Sequence, residues 1–246
     1  MLSAFAADLG LVLAQCKVGD KTNEITAIPE ILNMLSVEGC IVTIDAMGCQ
    51  KEIAKDITDK GADYVLSLKG NQSALHDEVA LYLDSLLAGK LKSIKRDAHS
   101  TLEKGHGRIE NRHYMITDSI DWLDQKSHWK NLKSIGVVES ERTIGNKITR
   151  ERGYFLCSIA PDAKEFAQAV RNHWSIENRL HWVLDVSFRE DQIKMCVKNA
   201  AQNMALIRHC ALNLLRLDPS GKKMSIKRKQ FKALIDNTFL QSLFMH

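Results

Sequence analysis

The sequence predicts an α/β fold with a β-rich segment inserted before its last long helices. Three observations carry this reading. Short β-branched apolar runs alternate with helical periodicity as far as Gly89. The helical rhythm then disappears between 93 and 160, where polar turns join strand-like runs. It returns at Pro161. Strands alternating with helices argue for a layered unit with a largely parallel sheet.

The elements follow in order. "LVLAQCKV" (11–18) reads as a strand, with "FAADL" before it as a neighbour. In "NEITAIPEILNMLSVEG" the residues Ile25, Ile28, Ile31, Leu32 and Leu35 recur at helical spacing, with Pro29 expected in the first turn. "CIVTIDAM" is a buried central strand that ends in Asp45. "CQKEIAKDITDKG" is a helix stopped by Gly61, "ADYVLSLKG" a second buried strand, and "SALHDEVALYLDSLLAG" another glycine-stopped helix. "GHGRIENRHYMITD", "LKSIGVVESERTI" and "ITRERGYFLCSI" are strands of the β-rich segment. Helices are expected over 161–185, 193–217 and 225–244. The expected divisions are 1–92, 93–160, 161–218 and a basic C-terminal stretch, 219–246.

Composition narrows the function classes. The 246 residues are 45% apolar, enough for a sizeable core. No apolar run approaches the ~18 residues of a membrane span, and "MLSAFAADLG" lacks the basic start of a signal peptide. Six dispersed cysteines without a CxxC pair suggest free thiols in a reducing compartment. The absence of GxGxxG and GxxxxGK[ST] removes the main support for dinucleotide or P-loop binding. Positive charge is concentrated at the end: residues 219–246 hold six basic groups, among them Lys227, Arg228 and Lys229, against one acid. Such a cluster contacts phosphates or forms a solvated face.

One stretch, "RNHWSIENRLHWVLDVSFRED", raises a chemical question. At about 100° per residue, Phe166, Val170, Trp174, Ile176, Leu180 and Leu184 form one broad arc, and Glu177 lands near its middle. His173 and His181 flank it one turn away on each side. A carboxylate on an apolar face needs a partner. It could face Asp45 around Mg²⁺, form a buried salt bridge, or join His173 and His181 at zinc. Asp185, Glu190 and Asp191 could support such a site or be solvated. Lys69 and Asn71 close the strand after Asp45, and His106 and Arg108 occupy a glycine-broken basic segment. Each suits a phosphate contact or a plain turn. Trp174 and Trp182 could stack on bases or pack between helices.

"LSAFAADLGLVLAQCKVGDKTNEITAIPEIL", "VTIDAMGCQKEIAKDITDKGADYVLSLKGNQ", "EKGHGRIENR" and "NHWSIENRLHWVLDVSFREDQ" resemble insertion-sequence transposases of the DDE class, in the H-repeat-associated group. The resemblance implies a ribonuclease-H-like core with a β-rich insertion before the last catalytic helix. It implies Mg²⁺- or Mn²⁺-dependent DNA cleavage and strand transfer at element terminal repeats, in the bacterial cytoplasm, with a homodimer possible. It matches Asp45 to the second catalytic aspartate and Glu177 to the catalytic glutamate, both as metal ligands. His173 falls four residues before that glutamate, where related groups often carry arginine. Lys69, Asn71, His106, Arg108, His173, Lys227, Arg228 and Lys229 are the expected DNA contacts. The family's first aspartate lies in a DGK-type motif upstream of "LSAFA", and neither Asp8 nor Asp20 has its context. The expectation is therefore a chain truncated at its N-terminus, with its first core strand missing, weak metal binding and lost activity. The alternatives are a DNA-binding remnant without chemistry and a structural or interaction protein.

Overall fold

The computed structural model describes residues 1–18, 24–91, 93–105, 107–192, 199–219 and 224–245. In chain order, strands β1 (Leu2–Ala6) and β2 (Leu11–Cys16) precede helix α1 (Glu24–Met34). Strand β3 (Ile41–Ile44), helix α2 (Lys51–Asp59) and strand β4 (Asp63–Leu68) follow, then α3 (Ser73–Leu87). Four strands come next: β5 (Asp97–Gly105), β6 (Arg108–Thr117), β7 (Ser134–Ile144) and β8 (Lys147–Cys157). Helix α4 (Ala163–Ile176) runs through a π-helical turn (Glu177–His181) into α5 (Trp182–Phe188). Helices α6 (Ala200–Leu217), α7 (Ile226–Ile235) and α8 (Asn237–Ser242) complete the described chain. Two compact units result: a sheet unit, 36–171, and a hairpin–helix unit, 1–35 with 172–246.

The sheet unit has six strands in the order β3-β4-β8-β7-β6-β5. Only β3 and β4 are parallel; every other neighbouring pair is antiparallel. The expectation of a largely parallel sheet is corrected to a mixed one. Helix α2 returns the chain to the starting end of β3, which forces a parallel neighbour. Strands β7 and β8 are joined by a tight reversal at Gly145 (φ 56), and β6 reaches β7 through the longer connection 118–133; both links close antiparallel pairs. Strand β8 then docks on β4 with Val65 opposite Cys157. Thus the strands of the β-rich segment extend the same sheet as β3 and β4.

Packing in this unit centres on Phe166 of α4, which is fully buried against Val65, Val138 and Phe155. Its ring meets Phe155 and Tyr114 edge-on, at centroid distances of 5.4 and 6.2 Å. Gly136 of β7 makes room for it, since a Cβ there would lie 2.6 Å from the ring. At the far end of the long strands, the buried Glu110 carboxylate accepts hydrogen bonds from Arg112 and, at 2.9 Å, from Arg142. Arg108 stands 3.5 Å away. Burial pushes the Glu110 carboxyl up, but the three guanidinium groups outweigh it and hold it below the usual range.

The hairpin–helix unit is built from smaller apolar clusters. Val12 of β2 packs with Leu180, Leu184 and Leu212, while Cys16 packs with Ala27 and Ile31 of α1. Pro29 lies at the sixth residue of α1, past the first turn where it was expected. The hydrogen bond lost there is offset by burial of Ala27, Ile28, Ile31 and Leu32. Asn213 of α6 serves the hairpin backbone with both ends of its amide. Val12 N–H donates to Oδ1 at 3.0 Å, and Nδ2 donates to the Val12 carbonyl at 2.7 Å.

Five cysteines lie among the described residues and are free thiols. Cys49 and Cys157 are fully buried, and burial pushes the Cys49 thiol up to about 12. No helix among the described residues is long and apolar enough to cross a membrane.

Candidate active site

Asp45 follows β3 directly and opens a 3-10 turn, Ala46–Gly48. Its Oδ1 accepts the Met47 N–H at 3.2 Å, which fixes the exposed carboxylate at the strand's carboxyl end. Lys69 is the first residue after β4, just beyond Leu68, and is exposed. The two strands are parallel, and their register sets Lys69 two residues beyond the position opposite Asp45, so both residues lie at the carboxyl end of the pair. Open α/β sheets characteristically bind ligands outside the carboxyl ends of their strands.

The Asn71 Nδ2 donates to the Ala46 carbonyl at 2.6 Å, tying the turn after β4 to the turn after β3. Gln72 adds bonds to the Cys49 carbonyl at 3.1 Å and to Gln50 Oε1 at 3.3 Å. Gln50 and Gln72 brace the Asp45 turn, and sequence reasoning passed over them. The only local signal was two glutamines just beyond two adjacent strand ends.

Glu177 opens the π-helical turn, and its carbonyl accepts the N–H of Trp182 five residues on. Its side chain is exposed, which corrects the inward placement drawn from the helical wheel. The wheel assumes that one stripe stays buried throughout. Phe166 and Val170 are buried in the sheet unit, whereas Ile176, Leu180 and Leu184 pack in the hairpin–helix unit. These are different stripes, and Glu177 belongs to neither. The π-turn then advances the register of everything after it; such turns recur at functional sites.

Two arginines fix this turn. Arg179 donates to the Ala7 carbonyl in the β1–β2 turn, and Arg216 donates to the carbonyls of Gly10 and Arg179. Both guanidinium groups lie over the Phe5 ring, 5.8 and 5.6 Å from its centroid. Burial and the neighbouring Arg179 draw the Arg216 guanidinium down to about 10. Gly10, at φ 72, is required twice over: a Cβ would meet Arg179 Nη2 at 2.7 Å, and the backbone is left-handed. Asn172 adds a bond to Asp8 at 3.0 Å.

The remaining expected residues fall as follows. His173 is half-buried, and Arg108 is exposed beside Glu110. Lys227 and Arg228 are exposed on α7. Lys229 is corrected: its ammonium is buried, 3.0 Å from Asp218 Oδ2, and donates to the Leu215 carbonyl at 2.6 Å. It closes the C-terminus of α6 and cannot reach a phosphate. Its stripe with Ile226 and Ala233, both packed in that unit's core, was the missed signal. His106 lies outside the described residues. Trp174 and Trp182 are 38% and 58% exposed, so neither is a core residue. Burial and the Asp191 carboxyl raise the Asp185 carboxyl above its ordinary value, against a smaller pull from His181.

Among the described residues, no group of three or more His, Cys, Asp or Glu side chains is gathered to hold a metal. This tells against zinc at His173, Glu177 and His181. Carboxylate oxygens remain the right donors for Mg²⁺, so the donor type fits and the donor number falls short.

The family model for the transposase DDE domain matches residues 1–214, and the chain belongs to the DDE transposase family. It is 42% identical over 247 residues to YncI of Escherichia coli O157:H7, designated a candidate transposase, covering 99% of this chain and 62% of that protein. YbfL of Escherichia coli K12 is 41% identical over 99% of this chain and 65% of its own length. So is YhhI of the same strain, designated an H-repeat-associated candidate transposase. The chain thus spans less than two thirds of the length of these curated relatives.

Proposed function

We propose that this chain acts on DNA in transposition, with Asp45 and Glu177 as two acids of a Mg²⁺-dependent strand-cleavage and strand-transfer centre. The observation that carries the reading is Asp45 itself. It is an exposed carboxylate locked at the carboxyl end of a parallel strand pair, with Lys69 at the same end. Family membership supplies the reaction class. On this reading β3, α2 and β4 belong to a ribonuclease-H-like core, and residues 93–160 are its β-rich insertion.

Asp45 and Glu177 would hold the cation, which when bound would polarise the scissile phosphodiester. Lys69 would neutralise a backbone phosphate beside Asp45, and Asn71 would keep the Asp45 turn in place. Arg108, His173, Lys227 and Arg228 would add contacts that position the duplex without reading its sequence. None of the 246 residues matches the family's first aspartate, so the chain by itself is expected to bind DNA and cleave it poorly. A DNA-binding protein without chemistry is the second reading, favoured by the want of a three-acid cluster among the described residues.

A gel shift and a nicking assay on element-end DNA with Mn²⁺ separate the two. Slow nicking that Asp45→Asn and Glu177→Gln each abolish supports the cleavage reading. Binding without nicking supports the second. Nicking that survives both substitutions overturns the assignment of the acids.

A further inference from the structure

The far end of the long strands carries a charge arrangement that the proposed acids do not use. The register puts Arg108 and Glu110 of β6 on one face with Arg142 of β7, and Lys147 of β8 ends the row that holds Arg108 and Ile144. The Glu110 carboxylate is only 6% exposed and is already matched by the buried Arg112. Glu103, opposite it on β5, is matched by Arg171 of α4. Arg108 and Arg142 are therefore a positive surplus. Both direct Nε at the same oxygen, Glu110 Oε1, at 3.5 and 2.9 Å, so the two guanidinium groups are held side by side. Their side chains are 47% and 52% exposed. Among the described residues no hydrogen bond engages their terminal amino groups.

Two like charges side by side repel, and an anion outside them relieves that repulsion. An arginine that gives its Nε to a carboxylate still presents both terminal amino groups, which suit a phosphate. The exposed Lys147 adds a third cation, against one exposed acid on that face, Glu151. All three cations lie in the open, so a lone phosphate there keeps its water and gains little. A polyanion gains from every counterion it releases. We propose that Arg108, Arg142 and Lys147 form a contact surface for the sugar–phosphate backbone of DNA, with Glu110 as the positioning residue that aims the two guanidinium groups. This surface rests on the reading that the chain acts on DNA. It adds Arg142 and Lys147 to the contacts and gives the buried carboxylate a purpose. Phosphate contacts position a duplex and carry no sequence information, so the surface serves any DNA sequence alike.

Fluorescence anisotropy titration of the full chain with two duplexes of unrelated sequence, one of them an element end, tests it across a series of salt concentrations. Arg142→Gln should weaken binding to both duplexes alike, by about threefold or more, and make the logarithmic salt dependence shallower by about 1. Adding Arg108→Gln should bring that change to about 2. Glu110→Gln removes a negative charge, so net charge alone would tighten DNA binding; a lost positioning residue weakens it instead, by about threefold or more. Lys147→Gln changes an exposed side chain, so it keeps the test open if the other variants fail to fold, and it should make the salt dependence shallower by about 1. Thermal melts followed by circular dichroism identify the folded variants. Failure of the unaltered chain to bind either duplex overturns the DNA reading and this surface with it. DNA binding that is unchanged in the folded Arg142→Gln or Lys147→Gln variant overturns the surface alone. Tighter binding by a folded Glu110→Gln variant, or a loss confined to one of the two sequences, overturns it as well.

Discussion

The two units hold the two proposed acids by different physics. In the sheet unit, Asp45 sits at the end of a strand whose position follows from backbone pairing and an apolar core around Phe166. In the hairpin–helix unit, Glu177 sits on a π-turn whose position follows from side-chain hydrogen bonds to backbone carbonyls, chiefly from Arg179 and Arg216. Apolar packing tolerates volume-conserving swaps and holds the backbone in place through many contacts, although emptying its centre is costly. A polar clamp concentrates its geometry in a few groups, and removing one leaves the others unsatisfied. The sheet unit is therefore the robust platform, and the hairpin–helix unit the part that single substitutions can displace.

The largest test of this contrast is Phe166→Ala. It should destabilise the sheet unit by about 3–5 kcal/mol, as burial of a large ring is lost and a cavity remains. Hydrogen exchange should rise across β6, β7 and β8 and change little in β1 and β2. Equal acceleration in both units would erase the contrast. Lys229→Ala comes next, at about 3 kcal/mol, because Asp218 is left buried without its cation. Here exchange should rise at the end of α6 and in α7. Gly10→Ala should destabilise the hairpin–helix unit by about 1–2 kcal/mol, from a left-handed backbone and the clash with Arg179. It should also disturb the amides of 177–182 more than those around Asp45, which two-dimensional NMR would resolve.

Acid should separate the units as well. Burial, aided by His181 and Arg208, lowers the His209 imidazole below its ordinary 6.5. The unfolded chain then binds the proton more readily. This residue's contribution to stability is complete above pH 6.5 and falls as pH drops from there toward the folded value. Glu110 is lowered from 4.5, so its contribution is complete above that pH and is lost as pH falls through its folded value. Melting followed between pH 7 and 5 should weaken the hairpin–helix unit first, and His209→Gln should flatten that dependence. Loss of the sheet unit at the higher pH would reverse the assignment. The smallest effect belongs to Lys227→Ala with Arg228→Ala, exposed changes expected to alter stability by less than about 0.5 kcal/mol. If both touch phosphates, the logarithmic salt dependence of DNA binding should become shallower by about 2.

Local pattern determined a good deal of this protein. Spacing of Ile53, Ala54 and Ile57 specifies α2, and Gly61 (φ 73) ends it. The β-branched run after Cys40 specifies β3 and puts Asp45 at its tip. Long motifs carried the family itself. β5 escaped notice because an edge strand with mostly exposed residues shows no apolar alternation. Strand direction, the exposure of Glu177, the burial of Lys229 and the bracing by Gln50 and Gln72 were decided only in three dimensions. Periodicity reports which stripe of an element is apolar. It does not report which neighbour covers that stripe, where the cover ends, or which distant carbonyl completes a polar group, because those depend on contacts between residues far apart in the chain.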